Sequence, residues 1–137
     1  MGLTDWDNFR KEVQEFPWRE QAEAANRIGK NSPTLSVDDL LTDHSFFISS
    51  GCAPDGTDFG YFVGFVYPGT EKDEPRRQVD TYSVDDAATV HKLTSLFFAR
   101  DYEALRHSLS GHTVILHSPE RISWKQYLKQ KQAYTTK

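Results

Sequence analysis

The chain has 137 residues, a net charge of −4 and one cysteine, Cys52, which suits a single domain with its own core and excludes an internal disulfide. A mean hydropathy of −0.65 stands beside nine Phe, six Tyr and three Trp, so the low value reflects a charged surface over an aromatic core rather than disorder. No apolar run nears the roughly 20 residues that span a bilayer and the N-terminus lacks a secretory pattern, so a cytoplasmic location without a membrane partner is expected.

Charge is unevenly distributed. Residues 1–86 hold 17 Asp and Glu against 8 Lys and Arg, whereas residues 87–137 hold 3 against 8. An acidic and a basic end bear on partners and association rather than on fold.

In chain order, Thr4 is the expected N-cap of a helix striped by Trp6, Phe9, Val13 and Phe16. Pro17 breaks that helix, because the residue before a proline leaves the α region, and it suits the first position of a second helix. Trp18, Ala22, Ala25 and Ile28 share one side of that helix and Gly29 suits its C-terminal cap, giving a helical pair over 5–28. Ser36-Val37-Asp38-Asp39 reads as a capped short helix, a device repeated at Ser83-Val84-Asp85-Asp86.

Strands over 46–52 and 59–67 flank Pro54-Asp55-Gly56, a strong hairpin signal because proline sets the first turn dihedral and glycine accepts a positive φ. A charged loop over 69–77 leads to a third strand over 78–82. A helix bearing Val90, Leu93 and Phe97 follows, then a break near Arg100-Asp101 and a short helix ending at Gly111. A fourth strand covers 113–116, and Ser118-Pro119-Glu120 opens a last helix to about Gln132, with 133–137 frayed. The expected architecture is one α+β domain of order α-α-β-β-β-α-α-β-α, built on an antiparallel hairpin and meander sheet of about four strands. Its expected core is Phe46, Ile48, Phe62, Val66, Val90, Leu93, Phe97, Val114 and Leu116.

The strand over 59–67 is apolar on both faces, with Phe59, Tyr61, Val63, Phe65 and Tyr67 on one and Gly60, Phe62, Gly64 and Val66 on the other. A central strand covered by helices on each side explains this, the glycines allowing close approach. A face presenting Tyr61, Phe65 and Tyr67 to a partner explains it as well. Beside it lie the hairpin acids Asp55 and Asp58. They lack the Asp-x-Asp-x-Asp-Gly alternation of a calcium loop, so they read as solvated surface or as a patch complementary to a basic protein. On the expected last helix, Arg121, Lys125 and Lys129 recur every four residues next to Trp124. This is a pattern for phosphate contact with base stacking, or for a surface helix whose lysines face water.

The five histidines show no metal-ligand spacing, and no nucleophile elbow, P-loop or dinucleotide motif occurs. No metal or cofactor is expected. The leading reading is a binding protein of inhibitor or immunity type, acting by contact with a basic protein through Asp55, Asp58, Tyr61, Phe65 and Tyr67. The first alternative is nucleic-acid binding by Arg121, Trp124, Lys125 and Lys129. The second is a small hydrolase assembled from His44, His91, His112 or Cys52, an enzyme being the less expected class.

Overall fold

The computed structural model describes residues 4–29, 33–53, 55–69, 77–119 and 130–134. Its elements follow the order α1 (Trp6–Glu15), α2 (Trp18–Ile28), β1 (Leu35–Asp39), β2 (His44–Gly51), β3 (Gly60–Tyr67), β4 (Gln78–Val84), α3 (Ala87–Phe98), α4 (Tyr102–Leu109), β5 (Thr113–Pro119) and β6 (Gln130–Tyr134). The class is α+β. The six strands form one sheet of order β5-β4-β3-β2-β1-β6. Strands β1 to β5 pair antiparallel and β6 joins the far edge parallel to β1.

Local chemistry explains the helix ends. Asp5, not Thr4, caps α1 by accepting the Asn8 amide. Phe16 takes an extended conformation ahead of Pro17, as the proline demands. The chain then folds back, and the Trp18 indole N–H donates to the Val13 carbonyl at 2.9 Å. Gly29 closes α2 with φ of 69°. Asp86 caps α3 through the Thr89 amide.

Three expectations are corrected. The segment Leu35–Asp39 is a strand, not a capped helix. Leu35 and Val37 enter the core, a period of two that the Ser-x-Asp-Asp pattern masked. Ser118 and Pro119 end β5 instead of opening a helix, and residues 130–134, expected as a helix end and frayed tail, pair with β1 as a strand. The strand count is therefore six, not four, and the sheet is mixed. Most of the charged loop over 69–77 lies outside the described residues.

The main core joins Phe9 and Trp18 from the helical pair, Val90, Leu93 and Phe97 from α3, and Leu105 and Leu109 from α4 to the sheet. The sheet supplies Leu35, Val37, Phe46, Ile48, Val63 and Phe65. All four described helices thus bury their apolar residues on the same face, the one carrying Val63 and Phe65. The opposite face of β3 holds a second cluster of Phe47, Val66 and Val79, to which no described helix contributes. Its glycine serves a ring instead: a Cβ on Gly64 would lie 1.6 Å from Phe47 Cε2. Val114 and Leu116, expected inside, are 53% and 46% exposed. They sit on an edge strand whose pairing slips by one residue opposite Thr81 and Tyr82. Phe62 is half-buried.

Gly64→Ala should cost about 1–3 kcal/mol by forcing Phe47 out of its seat. In denaturant titrations the Gly64→Ala, Phe47→Leu double variant should lose less than the sum of the singles, because the two positions share one volume. Strict additivity would contradict this packing.

Candidate functional site

The β2–β3 connection is a stiff, acidic tip. Gly56 takes φ of 85° and Asp58 takes 56°, while the Ala53 amide donates to Thr57 O at 2.7 Å and the Gly56 amide to Ala53 O at 2.8 Å. The Asp55 carboxylate accepts the Thr57 hydroxyl and amide, and these bonds hold its pKa below the ordinary value. From α2, the Asn26 amide donates to the carbonyls of Cys52 and Ala53 at 2.9 and 3.0 Å. Both Asp55 and Asp58 are exposed. A tip held this way presents its carboxylates without first having to order a loop.

Beyond the tip, β3 carries Tyr61 toward α1 and α3. The Tyr61 ring meets the Trp18 indole edge-on at 6.1 Å and the Phe59 ring at 5.2 Å, and the Arg19 guanidinium lies 4.6 Å over Phe59. The phenol makes no hydrogen bond to any described residue. Burial raises its pKa, with Arg19 opposing and Asp86 adding to the rise. Tyr61 lines an open pocket of about 530 Å³ walled by Val13, Trp18, Val90, Ala87 and Ala88, with Gln14 and His91 completing the lining. The pocket exists because α3 begins with two alanines where α1, α3 and β3 converge, and larger side chains there would occupy the space. Its size lies within the roughly 300–1,000 Å³ of ligand pockets.

The other expected contact residues lie elsewhere. Phe65 is 1% exposed and packs against Phe97 and Tyr102, so it is a core residue and not a contact surface. Tyr67 stands six residues along the strand from Tyr61, about 20 Å away. Arg106 covers its ring at 4.4 Å and its hydroxyl donates to Asp80 at 3.1 Å. Burial, with Asp80 adding, pushes the Tyr67 phenol up to about 12. Asp55, Asp58 and Tyr61 thus form one end, and Tyr67 belongs to another. Arg121, Trp124, Lys125 and Lys129 lie outside the described residues.

The residues of the hydrolase reading sit in separate surroundings. His44 stacks on Tyr102 at 4.0 Å and bonds Thr42 through Nδ1, while burial lowers its pKa. Its sequence neighbour Asp43 pairs with Arg77. His91 meets the Trp6 ring, His112 lies at the start of β5, and the Cys52 Sγ accepts from Asn26. Among the described residues no group of three or more His, Cys, Asp or Glu is arranged to hold a metal ion. No described helix is long and apolar enough to cross a membrane.

Two polar groupings have no signal in local spacing. His117 Nδ1 bonds Asp80 across the β4–β5 pair. Asp39, with a fully buried side chain, accepts Arg100 Nε and Nη2 on its two carboxylate oxygens, the second at 2.8 Å. It also accepts the Tyr102 hydroxyl and the Leu41 amide. Burial pushes the Asp39 carboxyl up, but the bonds from Arg100, Tyr102, Thr42 and Leu41 outweigh it and hold it well below the usual range. Arg100 sits at φ of 56° as the left-handed residue that ends α3, where the Asp101 amide donates to Leu96 O at 3.1 Å and the Arg100 amide to Phe97 O at 3.0 Å. The cluster ties the β1–β2 turn to the α3–α4 joint and is fully engaged within the protein, so its role is structural.

Compared with known proteins, the chain matches no family model, no curated protein and no solved structure.

Asp39→Asn should destabilise by about 3–5 kcal/mol at neutral pH, since Arg100 would keep a part-buried charge without its counter-ion. The folded-state pKa is depressed, so the stabilisation is complete above the unfolded carboxyl value of about 4 and fades as pH falls below it. Urea midpoints for both proteins across a pH series should converge in acid; a constant or widening gap would contradict the assignment.

Proposed function

We propose that this protein is a small binding protein of the inhibitor or immunity type, acting by contact with a protein of basic surface. The observation that carries the reading is the convergence at one end of the fold of a stiff acidic hairpin tip and an open apolar pocket, with Tyr61 at the junction. The two features serve different stages of association. Carboxylates raise the rate at which a positively charged partner arrives in the right orientation. A desolvated pocket retains it, because binding energy concentrates where a side chain fills a cavity and water is excluded. The docking residues are Asp55, Asp58 and Tyr61, with the walls of the pocket around them. An inhibitor of this kind works by covering its partner's cationic surface and needs no bond-making group of its own.

The test begins with capture of a stoichiometric protein from an extract of the native host on immobilised protein, followed by kinetics with that partner. The Asp55→Lys, Asp58→Lys double variant should associate about tenfold more slowly at low salt and lose most of its salt dependence. Tyr61→Ala should instead raise the dissociation rate, by an amount equivalent to ~2 kcal/mol or more. Unchanged rates in both variants, or capture of no stoichiometric protein, would overturn the reading.

A further inference from the structure

We infer that the outer edge of β5 is a self-association surface, where a second copy of this chain adds its own β5 antiparallel and extends the sheet through both molecules. β5 is an edge strand and rests chiefly on β4. Thr113, Val114, Ile115, Leu116 and His117 are all exposed. Three of the five exposed large hydrophobic residues among those described stand side by side here, each about half exposed. The slip in pairing sets Val114 opposite Tyr82 and Leu116 opposite Thr81. Residues paired across a ladder share a face and neighbours along a strand alternate, so Val114 and Leu116 lie on opposite faces of the sheet. Apolar surface therefore borders this edge on both faces. A helix or a flat surface docked on β5 covers one face only. A strand added at the edge covers part of both and also pairs the outward amide and carbonyl groups.

The composition of the edge selects the occupant. Exposed edges are guarded by charge, by proline or by bulges. The strand Thr113–Pro119 has the bulge, but no Asp, Glu, Lys or Arg, and proline only at its last position. The strand that fits it is uncharged and apolar, and β5 of a second molecule is such a strand with the same free edge. Two identical strands paired antiparallel lie about a twofold axis, so the assembly closes at two copies. The other edge strand, β6, includes Lys131, and a lysine in an edge disfavours the head-to-tail pairing of β5 on β6 that would build a filament. Each copy carries a net charge of −4, so an uncharged strand is where two copies meet with least repulsion. Tyr61 pairs with Val84 and Ser83 with Thr113, which puts the hairpin tip at the end of the sheet where β5 begins. Antiparallel joining then sends the two tips to opposite ends and leaves both free.

The experiment is sedimentation equilibrium of the whole protein from about 5 μM to about 1 mM, read beside amide hydrogen exchange. One strand pair with its flanking side chains buries less than the roughly 1,600 Å² of a standard interface, so half-dimerisation at about 50 μM is expected. The weight-average mass should rise from the monomer value of 15.7 kDa and level off at twice that value. Added salt should shift the rise to lower concentration, because screening weakens the repulsion between copies. Exchange of residues 113–117 should slow as concentration increases. Ile115→Lys should abolish both changes by placing like charges at the edge. Independently, so should Val114→Thr with Leu116→Thr, which removes apolar surface but keeps strand propensity. These positions are half exposed, so both variants should melt within a few degrees of the parent protein. A mass that stays at the monomer value throughout, one that climbs past the dimer without levelling, or a dimer that persists in both variants would overturn the inference.

Discussion

The Asp39–Arg100 pair is the constraint on which the arrangement of α3 depends. Its carboxylate is fully buried, and such a charge is tolerated only when partners surround it. Here they come from the turn after β1 and from the joint between α3 and α4. The joint itself needs a left-handed residue, and Arg100 occupies it with the guanidinium already directed onto Asp39. At its other end α3 starts two residues after β4, capped by Asp86. The helix is thus fixed at both ends across the sheet, and its middle fills the core with Val90, Leu93 and Phe97. The Tyr61 pocket follows from that suspension. Where α3 begins, its residues are alanines, and the space between it, α1 and β3 is left open.

This geometry separates the groups that hold the fold from those left exposed. The face carrying Phe46, Val63 and Phe65 is closed by helices, and the polar groups within it find partners inside the protein, Asp39 in Arg100 and Tyr102 and His44 in Thr42. Exposed groups meet at the hairpin end: two carboxylates on a braced turn, a phenol with no hydrogen-bond partner among the described residues, and apolar walls accessible from solvent. The proposed binding role fits that division, because a surface that engages a partner is then not the one that holds the fold together.

Much of the architecture was legible in the sequence, and the reasons for the failures are physical. The β2–β3 hairpin was readable because Pro54, Asp55 and Gly56 encode a turn by their own backbone preferences, and α3 because Val90, Leu93 and Phe97 repeat at helical spacing. Leu35–Asp39 was misread because an aspartate among capping residues suggests a helix start; here Asp39 faces inward, supported by Arg100, which lies 61 residues away. The strand Gln130–Tyr134 owes its conformation to pairing with β1 rather than to its own residues. Val114 and Leu116 have core composition but an edge position, which only topology assigns. At the candidate site, the acids and Tyr61 were found from the hairpin, whereas Phe65 was misplaced because alternation gives a face and not which face is covered. The pocket itself has no signature in the sequence, since it depends on the smallness of Ala87 and Ala88 opposite Val13 and Trp18, residues of three different helices.

The central claim is that this protein meets its partner through the hairpin tip and the adjoining pocket. Amide hydrogen exchange of the free protein and of its complex with the captured partner tests it most directly. The account predicts new protection concentrated in residues 55–61 and 87–91, with little change elsewhere in the described sheet. Protection confined to the exposed Leu40–Leu41 turn or to the β5 edge around Val114, Ile115 and Leu116, with the hairpin end unchanged, would contradict it.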